Sequence, residues 1–158
     1  MDLNVQNLST EIIYELAELY FMRGQFTRAI EKLNLVSSEA ERIGRDDLLL
    51  EASLCLLRIY AERDEVHSVD QLQQKLQARF LSGKIQPTSK SFYTLALCAD
   101  FQKRYTEALE HLEQALALAV ANQQNRDLAY ALFGLARVLR TLKSFDSSNE
   151  KLAQLKTL

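Results

Sequence analysis

The side chains able to do covalent or metal chemistry are few and badly spaced. His67 and His111 are the only histidines. Both fall in segments read below as second helices of a pair, without the spacing that metal ligands need. Glu113 follows His111 by two positions, which sends the two side chains to different faces of a helix. Cys55 and Cys98 belong to no CxxC pair and read as buried thiols in a reducing compartment, not as a disulfide framework. No glycine-rich loop could cradle a phosphate. No nucleophile stands at motif spacing from a base. The expectation is therefore no catalytic residue, no metal, no cofactor and no enzyme. What chemistry the chain does should be non-covalent.

The composition says which elements must carry it. The chain has 158 residues, 47% hydrophobic and 25% charged, enough for a real core and too apolar for disorder. One Pro and four Gly leave room for few turns, which favours long helices over a β fold. The formal net charge is −2 and no Lys/Arg cluster appears, so a nucleic-acid backbone is a poor partner. Residues Met1 to Ser9 lack the basic-then-apolar order of a signal peptide. No apolar run reaches the roughly 20 residues of a membrane span. A cytoplasmic, soluble protein is expected.

Self-similarity organises the rest. One column of equivalent positions holds Leu16, Leu56, Leu95 and Leu135, and the next holds Ala17, Leu57, Ala96 and Ala136. Others hold Phe26, Val66, Tyr105 and Phe145; then Ala29, Val69, Ala108 and Ser148; then Val36, Leu76, Ala115 and Leu155. The spacing in each is 40, 39 and 40 residues. Such columns suit helix pairs: the leucine faces its partner helix, the small residue admits close approach, and the aromatic plugs the turn. A pair buries only part of its apolar face, so neighbours must stack.

First helices are predicted near residues 10–23, 46–63, 89–103 and 127–142, and second helices near 26–43, 66–81, 106–123 and 146–156. Gly24 suits a tight turn and Gly44 a left-handed C-terminal cap. Asp46, Ser89 and Asp127 are expected N-caps. Residues 1–9 read as a short lead-in, and 10–158 as one array with repeats near 10–45, 46–87, 88–125 and 126–158. Ser82–Thr88, with Gly83 and Pro87, reads as a hinge between two pairs of repeats, not a domain boundary.

These residues resemble the tetratricopeptide repeat (TPR). Leu16, Ala17, Tyr20, Gly24, Phe26, Ala29 and Leu33 carry its pattern, and Phe92, Leu95, Ala96, Tyr105, Ala108 and Leu112 repeat it. The fourth copy has Ser148 in the Ala position, where a change to Ala is expected to be mild or favourable. The second copy is degenerate, with Val69 and Gln73. A period near 40 is similar to the long TPRs of kinesin light chain, cell-polarity adaptors and bacterial peptide-sensing regulators. Type III secretion translocator chaperones are similar in length but look like three standard-length TPRs. The resemblance implies an all-α, right-handed α-solenoid of four antiparallel helix pairs.

It also implies a concave groove lined by the first helices. Carried over position by position, the groove column is Tyr14, Leu54, Tyr93 and Phe133. One turn on lie Glu18, Arg58, Leu97 and Arg137, and further round lie Phe21, Phe101 and Arg140. Aromatic rings in a concavity suit an amphipathic helix or an extended peptide. The same rings could instead pack inside the array, and the arginines could simply be solvated. Carboxylate-clamp TPRs use Lys and Asn where this chain has Tyr14 and Glu18, so that ligand class is excluded. Gly134, inside a helix, costs about 1 kcal/mol relative to Ala. Close approach of a ligand or of the neighbouring repeat would justify it.

The expected function is a protein-interaction module that holds a peptide or helix of a partner protein. The alternatives are a peptide-sensing regulatory domain of a longer protein and a secretion-type chaperone. The apolar C-terminal helix near Leu152, Leu155 and Leu158 suggests self-association, since arrays normally close with a polar cap.

Overall fold

The computed structural model describes residues 3–158. They form eight helices: α1 (Leu3–Met22), α2 (Phe26–Ile43), α3 (Asp46–Glu62), α4 (Val66–Leu81), α5 (Ser89–Phe101), α6 (Tyr105–Ala121), α7 (Asn125–Thr141) and α8 (Phe145–Lys156). Among the described residues there is no strand. The chain divides into two compact units, residues 1–86 and 87–158, with the border inside the expected hinge segment. In the first unit α1 packs on α2, α2 on α3 and α3 on α4, and α1 also touches α3. The second unit repeats this order with α5 to α8.

The second helices show why the period works. On α2, Ala29, Leu33, Val36 and Ala40 recur at four, three and four residues, and all are fully buried. On α6, Ala108, Leu112, Ala115 and Ala119 do the same. Small residues in this stripe let the next helix come close. In the first unit the stripe meets Ala17, Ala52, Leu56 and Ile59. In the second, Ala108 and Leu112 meet Ala96, Ala99, Leu135 and Val138. The leucine column follows this burial at Leu56, Leu95 and Leu135, but Leu16 is 36% exposed. In the aromatic column, Phe26 and Tyr105 pack on their cores while Val66 and Phe145 are exposed.

The turns obey the same register through backbone conformation, not through residue type. Gly24, Asp64, Lys103 and Lys143 all have φ between 57° and 69°, at the spacing of the columns. Each lets the following N–H reach back to close the helix, as Gln25 does to the Tyr20 carbonyl at 2.9 Å and Arg104 to Ala99 at 2.8 Å. Only the first of these turns uses glycine, so the other three hold side chains in the left-handed region at a cost of about 1 kcal/mol each. Lys103→Gly is therefore expected to stabilise the protein by about 0.5–1 kcal/mol, measured as a raised urea midpoint at constant slope.

Several sequence-based boundaries need correction. Helix α1 begins at Leu3, not near Thr10. The Thr10 hydroxyl bonds back to the Gln6 carbonyl at 2.8 Å, as a residue inside a helix does, and so starts nothing. Met1 and Asp2 of the expected lead-in lie outside the described residues. Helix α5 is capped by Thr88, not Ser89: Thr88 and Ser91 exchange bonds in a capping box. The N-caps of α3 and α7 are Arg45 and Gln124, which leaves Asp46 and Asp127 inside the first turn. There their charge complements the helix dipole without capping.

Ser89 has another use. Its hydroxyl, fully buried, donates to the Ala115 carbonyl at 2.8 Å and ties α5 to α6. Ser148 does likewise between α8 and α7, donating to the Ala136 carbonyl at 2.7 Å. The expectation that Ser148→Ala is mild or favourable took no account of this bond. The alanine fits the space but loses a buried bond. A loss of about 1 kcal/mol is expected, read as a lower thermal midpoint. A midpoint equal to or above wild type would show that the bond contributes nothing net.

Both cysteines are buried. Burial pushes the Cys98 thiol up to about 12, so it stays protonated and unreactive at neutral pH.

Candidate partner-binding faces

The first helices of each unit lie side by side, and the two seams share one register. In the second unit, Tyr93 of α5 meets Tyr130 of α7, ring centroids 5.6 Å apart. Two helical turns on, Arg137 of α7 bonds Asp100 of α5 at 2.5 Å. Both pairs are 37 residues apart in sequence. In the first unit the matching positions are Tyr14 with Glu51 and Phe21 with Arg58, at the same separation. There the Tyr14 hydroxyl reaches Glu51 at 3.4 Å, and the Arg58 guanidinium sits 4.8 Å from the centre of the Phe21 ring. The contacts keep their places while the chemistry changes.

In the first unit the seam is closed. Tyr14 is only 8% exposed, and its hydroxyl donates to Glu18 at 2.8 Å. Burial, and then the neighbouring Glu18, raise the phenol above its usual range, so it remains a donor. Leu54 is 1% exposed. Neither can meet a partner as the expected column requires, because both are already part of the protein interior. Phe21 is half-buried against the core and Phe26, with Arg58 over its face. Cations favour that position over the ring quadrupole.

In the second unit the seam is open. Phe133 is 53% exposed, Phe101 55% and Tyr130 43%. Tyr93 and Leu97 are half-buried, and Tyr93 packs on the core. Arg137 and Arg140 are exposed on α7, and Arg126 lies 5.7 Å from the Tyr130 ring centre. Three arginines thus stand around exposed rings, with Asp100 as the acid bonded to one of them. Sequence reasoning missed Tyr130, Asp100, Arg126 and Glu51. Tyr130 sits three residues before Phe133, one turn away on the same helix face, and that spacing was the available signal.

Gly134 is not a ligand-facing glycine. A Cβ there would come within 2.6 Å of Leu112 Cδ2 and 3.5 Å of Tyr93. Close packing of neighbouring helices accounts for it.

Among the described residues no group of three His, Cys, Asp or Glu side chains could hold a metal. Among the same residues no helix is long and apolar enough to cross a membrane.

Helix pairs stacked at a period near 40 define a TPR-like helical-repeat fold. Solved structures carry the same fold. BtubC (BKLC) from P. vanneervenii superposes with a TM-score of 0.77 at 17% identity, over 96% of this chain. This chain spans 63% of BtubC's length. Two crystal structures of a Podosopora anserina putative kinesin light chain, with nearly identical TPR-like repeats, give TM-scores of 0.67 and 0.65 at 22% identity. They match over 94% of this chain and 73% and 74% of their own. No protein-family model and no curated protein matches the sequence.

Proposed function

We propose that this chain binds a segment of another protein, and that the exposed face of α5 and α7 is where it does so. The observation that carries this reading is the exposure of Phe133 on α7, one and two turns from Arg137 and Arg140 on the same helix, with exposed Phe101 next in sequence to the Asp100 that Arg137 bonds. Large rigid rings offer apolar contact at low entropy cost. Arginines beside them select carboxylates by charge-assisted hydrogen bonds. The fitting partner is a short amphipathic helix or extended peptide with apolar anchors and acidic neighbours. Of the expected column, Phe133 is the member free to act. Tyr93 supports the face from below.

The test starts from acidic and apolar peptides selected on the immobilised chain. Phe133→Ala and Phe101→Ala should each weaken the selected peptide by about 2 kcal/mol, roughly thirtyfold. Helicity and melting temperature should barely move, since both rings are half in water already. Arg137→Glu should slow association and flatten its salt dependence. Unchanged affinity in both aromatic variants would remove this face from consideration.

A further inference from the structure

Helix α1 carries a bare apolar stripe along its whole length. Val5, Leu8, Ile12, Leu16, Leu19 and Met22 are 36–79% exposed, at spacings of three and four residues. They share one side of the helix, while Thr10, Tyr14 and Ala17 on the other side are buried. A row of six large exposed apolar residues is not ordinary surface.

The repeat register says what such a stripe fits. Ile12, Leu16 and Leu19 are equivalent to Ala52, Leu56 and Ile59 on α3 and to Ala131, Leu135 and Val138 on α7. All six of those are at most 4% exposed. On α3 they pack in one cluster with Ala29, Leu33 and Val36 of the preceding second helix. On α7, Leu135 and Val138 pack with Ala108 and Leu112. The surface that covers this side of a first helix is thus the stripe of a second helix.

One such stripe is covered only at its start in this chain. Helix α8 places Ser148, Leu152 and Leu155 in the columns of Ala29, Leu33 and Val36. Leu33, Val36, Leu112 and Ala115 are buried in their own stripes, but Leu152 and Leu155 are part-exposed. The charges agree. Helix α1 holds Glu11, Glu15 and Glu18 and no base, although Glu11 is paired with Arg45 and Glu18 accepts from Tyr14. Helix α8 is balanced, with Lys151 and Lys156 against Asp146 and Glu150, and Lys143 just before it adds one positive charge. Two copies of α1 packed on each other would instead bring their glutamates together.

We infer that a second copy of this chain covers α1 with its own α8, so that copies associate head to tail by the contact that stacks repeats within each unit. The contact is heterologous, and each copy added leaves one stripe of each kind free. It does not depend on the face of α5 and α7.

Sedimentation velocity on the full chain tests this, using two variants that each block one surface with the same charge, Ile12→Glu and Leu155→Glu. The wild-type mass should rise with concentration from the 18.1 kDa monomer. Each variant alone should stay monomeric. An equimolar mixture should give a 1:1 complex of about twice the monomer mass and nothing larger, because the free α8 of one meets the free α1 of the other. This rescue separates a blocked contact from a misfolded variant. If Leu155→Glu alone associates like wild type, α1 pairs with itself and the inference fails. It also fails if the wild type stays monomeric at millimolar concentration, or if the mixture forms no complex.

Discussion

Replacing Ala29 or Ala108 by Trp is expected to cost about 3 kcal/mol, the upper end of what overpacking exacts. Both alanines are fully buried, and both sit where a second helix meets its neighbours. The usual escape from a large side chain is toward solvent. Here the Cβ points between helices whose close approach depends on the alanine, so the indole can be admitted only by moving a helix. The two variants probe separate cores, one in each unit. Equilibrium urea unfolding should show lower midpoints for both. Ala121→Trp, at an exposed position late in α6, should change little and controls for the indole itself. Wild-type midpoints for Ala29→Trp and Ala108→Trp would mean that the columns do not mark helix contacts.

The fold was legible because its period is written in side chains that the packing demands. Leu33 and Leu112 fall in one column, and burial makes them equivalent. The turns were legible only where glycine marked them. Asp64, Lys103 and Lys143 take the same left-handed conformation as Gly24, but nothing in those residue types announces it. The start of α1 was hidden for a related reason. Thr10 is a fair N-cap by type, and only its bond to Gln6 shows it to be inside a helix.

The candidate face was legible in part. Register placed Tyr14, Leu54, Tyr93 and Phe133 in one column, yet their exposure runs from 1% for Leu54 to 53% for Phe133. Register fixes direction around a helix; it does not fix how much water reaches the position. Tyr14 shows the difference. A phenol that faces Glu18 and Glu51 at its own seam is held by them, whereas the matching Tyr93 meets a second ring and leaves Phe133 beside it in solvent. The identity of the neighbour 37 residues away decides which seam is open. No single column contains that information.

Gly134 and Leu112 should show the reverse of independent behaviour. Leu112 is 2% exposed in the core of the second unit, and Leu112→Ala is expected to cost about 2–5 kcal/mol through lost burial and the cavity left behind. Gly134→Ala has two opposing effects. A helical alanine gains about 1 kcal/mol over glycine. Its Cβ, however, would lie 2.6 Å from Leu112 Cδ2, and Leu112 has packed neighbours on every side. Crowding of that kind costs about 1–3 kcal/mol, so the single change should come out unfavourable by about 1 kcal/mol. Remove the leucine side chain first and the clash disappears: the new methyl enters the vacated space and the propensity gain survives. The double variant should therefore be more stable than the sum of the singles predicts, by about 1 kcal/mol or more. Urea unfolding of all four proteins gives the coupling directly. Additivity within about 0.5 kcal/mol would show that Leu112 is not what keeps position 134 a glycine, and would reopen the possibility that a ligand's backbone requires it.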